Sequence, residues 1–148
     1  MSVLVTGGAG YIGSHTTYAL VDRGEDVVVL DNLSTGTRAL VSEKAAFVEG
    51  EAGDEALVRR VIAAHGVDAV IHFAGSIVVP ESVAKPLAYY ANNTVASRSL
   101  MEACVESGVR HFIFSSTATV YDENARQPLR EDEPKNPISP YARSKLMT

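Results

Sequence analysis

A tyrosine and a lysine near the end of the sequence have a spacing that could support acid–base chemistry. Tyr141 and Lys145 follow Ser139-Pro140, a pair typical of a helix N-cap and first helical position. Residues four apart lie on the same face of a helix. An isolated tyrosine has a pKa of about 10, but a nearby ammonium and a helix N-terminus both favour the phenolate. Tyr141 is therefore a candidate base with Lys145 as its partner; the alternative is a chance pair.

Hydroxyl groups at the end of an apolar run argue against the alternative that Tyr141 and Lys145 have this spacing by chance. Ser115, Ser116 and Thr117 end and follow the β-branched and aromatic run 111–115. In α/β proteins with parallel sheets, ligands bind at the carboxyl ends of the strands. We therefore expect these hydroxyls to lie at a ligand site.

A glycine-rich loop follows the first apolar run. Gly7, Gly10 and Gly13 have the spacing G-x-x-G-x-x-G between a strand pattern and a helix pattern. Glycines at such a turn let the backbone approach a pyrophosphate, and the helix N-terminus then faces the anion. Glycines alone are weak evidence, but their position in the first strand-to-helix turn predicts a dinucleotide site.

An aspartate at the end of the second apolar run indicates which dinucleotide would bind. Asp31 lies eighteen residues after Gly13, and Asn32 and Leu33 follow it. A carboxylate at this place can accept hydrogen bonds from both ribose hydroxyls of NAD and repels the 2′-phosphate of NADP. No arginine stands beside Asp31 to hold that phosphate. The alternative is a solvated aspartate that opens a loop, but the spacing favours NAD.

The elements that must position these residues alternate along the chain. Five short apolar runs are predicted strands, at 2–6, 26–30, 46–49, 69–73 and 111–115. Helical patterns lie between them: at 11–23 before Gly24, at Leu57, Val58, Val61 and Ile62 before Gly66, and from about 86 to 107 before Gly108. Continuous apolar strands alternating with helices predict an α/β fold with a doubly wound parallel sheet, of the Rossmann type. Residues 122–137 read as a long exposed loop.

Composition excludes several classes of protein. The 148 residues carry a net charge of −5 without a basic cluster, which argues against nucleic-acid and anionic-membrane partners. No segment has the apolar length of a membrane span or the pattern of a signal peptide. Cys104 is the only cysteine and the four histidines share no ligand spacing, so we expect no disulfide and no metal site. A reducing, cytoplasmic location is the natural expectation.

Several motifs together resemble a known family, the extended short-chain dehydrogenase/reductases, and within it the sugar-nucleotide 4-epimerases. The resemblance covers essentially the whole chain, in order. The motifs are the glycine loop, Asp31-Asn32-Leu33-Ser34, His72-Phe73-Ala74-Gly75, Tyr89-Tyr90-Ala91-Asn92-Asn93, Phe114-Ser115-Ser116-Thr117-Ala118-Thr119-Val120-Tyr121 and Ser139-Pro140-Tyr141-Ala142-Arg143-Ser144-Lys145-Leu146-Met147.

The resemblance implies NAD-dependent interconversion of UDP-glucose and UDP-galactose through transient oxidation at C4 of the hexose. Tyr141 would be the base, with Lys145 and Thr117 as further catalytic residues, and Thr117 and Tyr141 would contact the sugar. The cofactor site that it implies comprises Gly7, Gly10, Tyr11, Ile12, Gly13, Asp31, Asn32, Leu33, Ser34, Thr35, Gly36, Glu51, Ala52, Phe73, Ala74, Gly75, Ser76, Ile77, Asn92, Ser115, Tyr141 and Lys145.

The resemblance also sets expectations about the whole protein. Related dehydratases and decarboxylases carry an acidic residue after the Ser/Thr, whereas here Ala118 follows Thr117, which favours epimerisation. A UDP-glucuronate 4-epimerase and a non-catalytic NAD-binding module remain alternatives. We expect residues 1–148 to be an incomplete NAD-binding domain that lacks the last strand and a C-terminal substrate domain. The longer protein would be a homodimer, and the 148 residues alone would bind NAD without turnover.

Four positions depart from the usual family pattern. Glu51 follows Gly50 after the third strand, where the family usually has an aspartate. Ile77 occupies a position at which many members have a phosphate-binding lysine. Asp122 and Ala142 replace common glycines. These last two substitutions raise the question of whether the local backbone keeps its conformation.

Overall fold

Five strands form one sheet in which every pairing is parallel. A computed structural model describes all 148 residues. The strands are β1 (Ser2–Thr6), β2 (Asp26–Asp31), β3 (Ala46–Glu49), β4 (Ala69–His72) and β5 (His111–Phe114). Their order is β3-β2-β1-β4-β5. This order is that of a doubly wound sheet, with its switch point between β1 and β4. The predicted fold class is confirmed, with strand ends shifted by at most one residue.

The chain forms two compact units. The first comprises Met1–Gly75 and Ala96–Ser115 and holds the whole sheet. Its helices are α1 (Tyr11–Asp22), α2 (Glu55–His65) and α5 (Ala96–Glu106). The second comprises Ser76–Val95 and Ser116–Thr148. It contains the helices α3 (Val79–Ala84), α4 (Pro86–Tyr89) and α6 (Pro140–Met147), a π-helical segment (Tyr90–Val95) and a 3₁₀ turn (Ala118–Val120).

The sheet of the first unit is covered on both faces because its strands are apolar on both faces. One face packs on α2 and α5 through a buried cluster of Leu4, Val28, Leu30, Val58, Val61, Ile62, Val67, Val70, Leu100, Ala103 and Cys104. The other face holds a second cluster of Val3, Val5, Ala9, Val27, Val29, Val41, Ala45 and Ala69, against which Leu20 and Val21 of α1 pack. Successive residues of a strand alternate between the two clusters. This alternation fixes which face of the sheet the last residue of each strand points to.

The predicted helical segment from about 86 to 107 is present from Pro86 to Glu106, but it is not one α-helix, because its middle is π-helical. The chain there forms α4, then the π-helical segment, then α5, and the helix α3 precedes them. Asn93 in the π-helical segment is buried and its side chain holds the backbone of Ser76, a tertiary contact that a sequence pattern does not reveal. A π-helical turn of this kind often marks a functional position.

Candidate functional site

The glycine-rich loop of the first unit joins β1 to α1. The Gly7 amide donates to the Leu30 carbonyl of β2 at 2.9 Å, and the Gly10 amide donates to the Gly7 carbonyl at 3.2 Å. The Ser14 amide then donates to the Gly10 carbonyl at 2.9 Å, so α1 begins directly after the loop. Because the N-cap is Gly10, no side chain caps the first amides of α1. This arrangement suits an anion such as a pyrophosphate.

Two loop glycines are required by close approach. Gly7 has a φ of +70°, and a Cβ there would lie 2.6 Å from the Ala74 amide nitrogen. A Cβ at Gly13 would overlap the Gly7 carbonyl oxygen. The loop and the segment after β4 are thus held together, as the predicted site requires. At the start of α1, Tyr11 and Ile12 are 78% and 59% exposed and open to a ligand.

Asp31 ends β2 and is buried, with 8% of its surface exposed. One of its carboxylate oxygens accepts a hydrogen bond from the Ala9 amide at 2.9 Å, and the other accepts from the Leu33 amide at 2.8 Å. Leu33 has a φ of +56°, a left-handed conformation that this turn around Asp31 holds in place. A carboxylate has about four acceptor sites, so two remain for other donors. Asp31 therefore orders the glycine loop while keeping capacity for a ligand.

The turn after Asp31 is tied to the segment after β3. The Asn32 side-chain amide donates to both Glu51 carboxylate oxygens, at 3.1 and 3.2 Å. The Asn32 Oδ1 accepts from the Ser34 amide at 3.0 Å and from its hydroxyl at 2.7 Å. A Cβ on Gly36 would lie 2.9 Å from the Ala9 Cβ, so this turn also packs on the glycine loop. The longer side chain of Glu51 reaches Asn32, a contact that the sequence did not predict.

Ser115 follows β5 in the same unit, and its amide donates to the His72 carbonyl of β4 at 3.1 Å. His72 is 2% exposed, and its ring nitrogens lie 2.6 Å from the Thr6 hydroxyl and 2.7 Å from the Ser97 hydroxyl. His72 is therefore a hydrogen-bonded interior histidine. The other predicted cofactor contacts in this unit are partly or fully exposed: Thr35, Ala52, Phe73 and Gly75.

In the second unit, α6 begins as the sequence predicts. The Ser139 hydroxyl accepts a hydrogen bond from the Ala142 amide at 3.1 Å, and Pro140 occupies the first helical turn. The Arg143 amide donates to the Ser139 carbonyl at 2.9 Å. This N-cap fixes the start of the helix that carries the tyrosine–lysine pair.

Lys145 is buried in the second unit, with 5% of its surface exposed, and burial lowers the pKa of its ammonium. Tyr141, one helical turn earlier, is partly exposed. A desolvated cation exerts a stronger field than one in water. The structure thus places a partly exposed tyrosine one helical turn before a buried lysine.

Three further residues of the predicted site lie in the second unit: Thr117, Asn92 and Ile77. The Thr117 hydroxyl oxygen accepts a hydrogen bond from the Thr119 amide at 3.3 Å, so the Thr117 side chain caps the 3₁₀ turn. The hydroxyl groups of Thr117 and Thr119 lie 3.0 Å apart. The Asn92 side chain donates to the Ser76 hydroxyl at 2.8 Å. Ile77 is 67% exposed.

Asn93 and Ser144 connect this group, and the sequence reasoning missed both. The Asn93 Oδ1 accepts from the Ser76 amide at 2.7 Å, while its Nδ2 donates to the Ser76 carbonyl and the Ser144 hydroxyl at 2.9 and 3.0 Å. Ser144 in turn donates to the Tyr141 carbonyl at 2.7 Å. The available signal was an asparagine pair inside an otherwise helical pattern, where asparagine is unfavourable.

The two substituted glycine positions keep an ordinary backbone. Neither Asp122 nor Ala142 has a positive φ. The Asp122 carboxylate accepts from the Asn124 amide and from the Asn136 side chain, each at 2.8 Å. These hydrogen bonds lower the pKa of Asp122 and organise the loop after the 3₁₀ turn. Ala142 is 1% exposed in α6, where alanine is the best helix former.

The structure has neither a cluster of metal-ligating side chains nor a helix suited to a membrane. No group of three or more histidine, cysteine, aspartate or glutamate side chains could hold a metal ion. None of the helices combines the length and the apolar character that crossing a membrane would need.

Relatives with known names cover nearly all of this chain. A UDP-glucose 4-epimerase from Azospirillum brasilense is 56% identical over 146 residues, which are 99% of this chain and 42% of the relative. The crystal structure of UDP-glucose 4-epimerase from Brucella ovis in complex with NAD has a TM-score of 0.95 and 45% identity. It is matched over 99% of this chain and 45% of its own. The chain therefore spans less than half the length of either relative.

A second solved structure has a nucleotide bound in addition to the cofactor. UDP-glucose 4-epimerase from Bifidobacterium longum in complex with NAD⁺ and UDP matches with a TM-score of 0.93 and 39% identity, over 99% of this chain and 46% of its own. The prediction of a sugar-nucleotide epimerase relationship is confirmed, as is NAD as the cofactor of the family. Residues 3–148 match the NAD dependent epimerase/dehydratase family across almost the full sequence, and the chain belongs to that family.

Proposed function

We propose that this chain supplies the NAD-binding part and the catalytic base of an enzyme that interconverts UDP-glucose and UDP-galactose by transient oxidation at C4 of the hexose. Family membership and the names of its relatives support the reaction class. The observation that carries the catalytic part is the buried Lys145 one turn after Tyr141 on an N-capped helix. Thr117 is followed by Ala118 and not by an acidic residue, which favours epimerisation over dehydration.

The first unit has the donors and acceptors that NAD requires. The uncapped amides of α1 suit the pyrophosphate, and the free acceptor sites of Asp31 suit the ribose hydroxyls. No lysine or arginine neighbours Asp31 in sequence to hold a 2′-phosphate. When bound, NAD supplies the transient electron acceptor for the hexose C4. The proposed contacts are Gly7, Gly10, Tyr11, Ile12, Gly13, Asp31, Asn32, Leu33, Ser34, Thr35, Gly36, Glu51, Ala52, Phe73, Ala74, Gly75, Ser76, Ile77, Asn92, Ser115, Tyr141 and Lys145.

Tyr141 is the proposed base for the proton of the hexose 4-hydroxyl. Its phenolate oxygen takes that proton as the C4 carbon is oxidised and returns it when the carbon is reduced again. Lys145 stabilises the phenolate by its positive charge and is held in place by burial. The Thr117 hydroxyl is a further proposed contact for the sugar oxygen, because it can both donate and accept.

Substitution of Tyr141 tests this assignment. We define the extended enzyme as this chain followed by the C-terminal remainder of the Azospirillum brasilense relative. In it, Tyr141→Phe should lower conversion of UDP-galactose to UDP-glucose by about 10²–10⁴-fold, with NAD still bound. Tyr18→Phe, at a 46% exposed position of α1, is the matched control and should keep wild-type turnover. Near-normal turnover of Tyr141→Phe would remove this residue from the mechanism.

The 148 residues alone are proposed to act as an incomplete NAD-binding domain. They contain no lysine-rich or arginine-rich segment that could hold a UDP diphosphate. Positioning of a substrate can lower the activation free energy by about 7–11 kcal/mol, and this contribution would be missing. We expect calorimetry to detect NAD binding by this chain and a coupled assay to detect no conversion of UDP-galactose. Steady conversion that Tyr141→Phe abolishes would place the substrate site within these residues.

The extended enzyme is proposed to be a homodimer. Large apolar side chains of the second unit are exposed, with Val83 and Met147 each 65% and Leu87 80% accessible. These residues belong to α3, α4 and α6, which pack on one another, and exposed apolar patches commonly mark an interface. Leu87→Glu should shift the extended enzyme toward monomer in sedimentation velocity. Leu40→Glu, at a 44% exposed position of the first unit, should not. An unchanged dimer in the Leu87 variant would refute this interface.

A further inference from the structure

Ser144 lies at the centre of a buried polar network within the second unit. Its side chain is fully buried, and its hydroxyl both donates to the Tyr141 carbonyl at 2.7 Å and accepts from Asn93 at 3.0 Å. Its backbone carbonyl accepts from the Thr94 hydroxyl at 3.2 Å and from the Thr148 hydroxyl at 2.9 Å. The Thr148 amide also donates to this carbonyl, at 3.2 Å, so five hydrogen bonds involve the hydroxyl and carbonyl of this one residue of α6.

The partner side chain, Asn93, has its position fixed from the other side. Its carbonyl oxygen accepts from the Ser76 amide, and one hydrogen of its amide group goes to the Ser76 carbonyl. The second hydrogen goes to Ser144. Because Asn93 is 1% exposed, water cannot replace the Ser144 oxygen without a local opening. The π-helical segment therefore holds α6 through this side-chain pair, together with the hydrogen bonds from the Thr94 hydroxyl to the Ser144 carbonyl and from the Thr148 hydroxyl to the Asn93 carbonyl.

We propose that Ser144 is a positioning residue for the tyrosine–lysine pair. The inference rests on the proposed function, in which Tyr141 is the base. Ser144 precedes Lys145 by one residue and follows Tyr141 by three, so any rotation or outward shift of α6 at Ser144 moves both side chains. Displacement of a reacting group by about 1 Å can lower a rate by about 10²-fold, so a loosened α6 should affect turnover directly.

Ser82 provides a matched control for the loss of a buried serine hydroxyl. Like Ser144, it is fully buried in a helix of the second unit and donates to the carbonyl three residues earlier, that of Val79, at 2.6 Å. No hydrogen bond to Asn93 is formed by Ser82. The variants are therefore Ser144→Ala, Asn93→Ala, their double variant and Ser82→Ala.

Amide hydrogen exchange of the 148-residue chain reads the position of α6 without any cofactor. In Ser144→Ala, the amides of residues 144–147 should exchange about tenfold faster than in wild type, because this helix opens locally. Asn93→Ala should have a similar effect. The double variant should exceed neither single variant by more than about twofold, since both substitutions remove the same contact. Ser82→Ala should leave exchange in α6 within about twofold of wild type.

Kinetics of the extended enzyme test the link to the base. Ser144→Ala should lower kcat by about tenfold or more with KM for UDP-galactose changed by less than about threefold, because positioning acts on the transition state. Ser82→Ala should keep kcat. Unchanged kcat in Ser144→Ala, or equal effects of the two serine variants on exchange in α6, would overturn the proposal.

The failure of this inference is distinguishable from the failure of the proposed function. If Tyr141→Phe keeps activity, Tyr141 is not the base and the proposed function fails. If Tyr141→Phe is inactive while Ser144→Ala keeps its kcat, only the positioning role fails. Should Ser144→Ala not fold, Ser144→Cys preserves the side-chain volume with a weak acceptor and should give the same direction of change in both measurements.

Discussion

Replacement of Gly7 by alanine tests whether the glycine loop depends on close backbone contact. Gly7 has a φ of +70°, and an added Cβ would lie 2.6 Å from the amide nitrogen and 2.9 Å from the Cα of Ala74. Gly108 in the same unit has a φ of +73° with no atom within 4 Å of its virtual Cβ. The two positions therefore share the cost of a left-handed conformation and differ in the contact alone.

The expected magnitudes follow from these two terms. A left-handed conformation costs a non-glycine residue about 1–2 kcal/mol, which should be the whole effect of Gly108→Ala. Displacement of packed backbone adds about 1–3 kcal/mol. Gly7→Ala should therefore destabilise the chain by about 2–5 kcal/mol. It should also weaken NAD binding, because the loop that faces the pyrophosphate must shift away from Ala74.

Urea denaturation followed by circular dichroism measures both costs on the same chain. The difference between the Gly7→Ala and Gly108→Ala free energies of unfolding isolates the contact with Ala74. A difference of less than about 0.5 kcal/mol, the usual effect of a surface substitution, would refute the reasoning. Calorimetric titration with NAD of the Gly108→Ala variant should match wild type.

Three further predictions concern single side chains. Because of the Asp31 carboxylate, the chain should bind NAD much more tightly than NADP in calorimetric titrations, and equal affinities would refute the role of Asp31. Burial raises the pKa of the Cys104 thiol to about 11, so only about 10⁻³ of the thiol is ionised at pH 8. A disulfide reagent should therefore react with Cys104 about 10²-fold faster after unfolding. Equal rates for the folded and unfolded chain would contradict this prediction. Burial lowers the pKa of Lys145, so the folded chain loses this proton at a lower pH than the unfolded chain. We therefore compare the free energy of unfolding of wild type with that of Lys145→Met. The difference, wild type minus variant, should rise with pH between the pKa of Lys145 in the folded chain and about 10.4, its value in the unfolded chain. A difference that does not change with pH would contradict this prediction.

The fold was predictable because each of its signals is local. The strands are short apolar runs, and glycines with positive φ end three helical segments, at Gly24, Gly66 and Gly108. Alternation with helices then determines a parallel sheet. The N-cap at Ser139 was predictable for the same reason, since its partner Ala142 lies three residues away.

The parts that the sequence did not reveal depend on residues far apart in the chain. Asn93 and Ser144 are separated by 51 residues, and Asn32 and Glu51 by 19. Hydrogen bonds at such separations leave no periodic pattern. The π-helical segment contains Asn93 and its tertiary contacts, which helical spacing does not reveal, so the sequence pattern predicts one continuous helix there. Local rules therefore predict where the tyrosine and lysine lie, but not what holds their helix.

The central claim is that the hexose is oxidised and reduced at C4 within one enzyme that uses Tyr141 as its base. The most direct test is the fate of the hydrogen on that carbon. The extended enzyme would be given UDP-galactose with deuterium at C4, and the UDP-glucose formed would be examined by mass spectrometry. We predict that the product keeps its deuterium at C4 and that Tyr141→Phe forms almost no product. Loss of the deuterium to water, with turnover intact, would contradict the proposed chemistry.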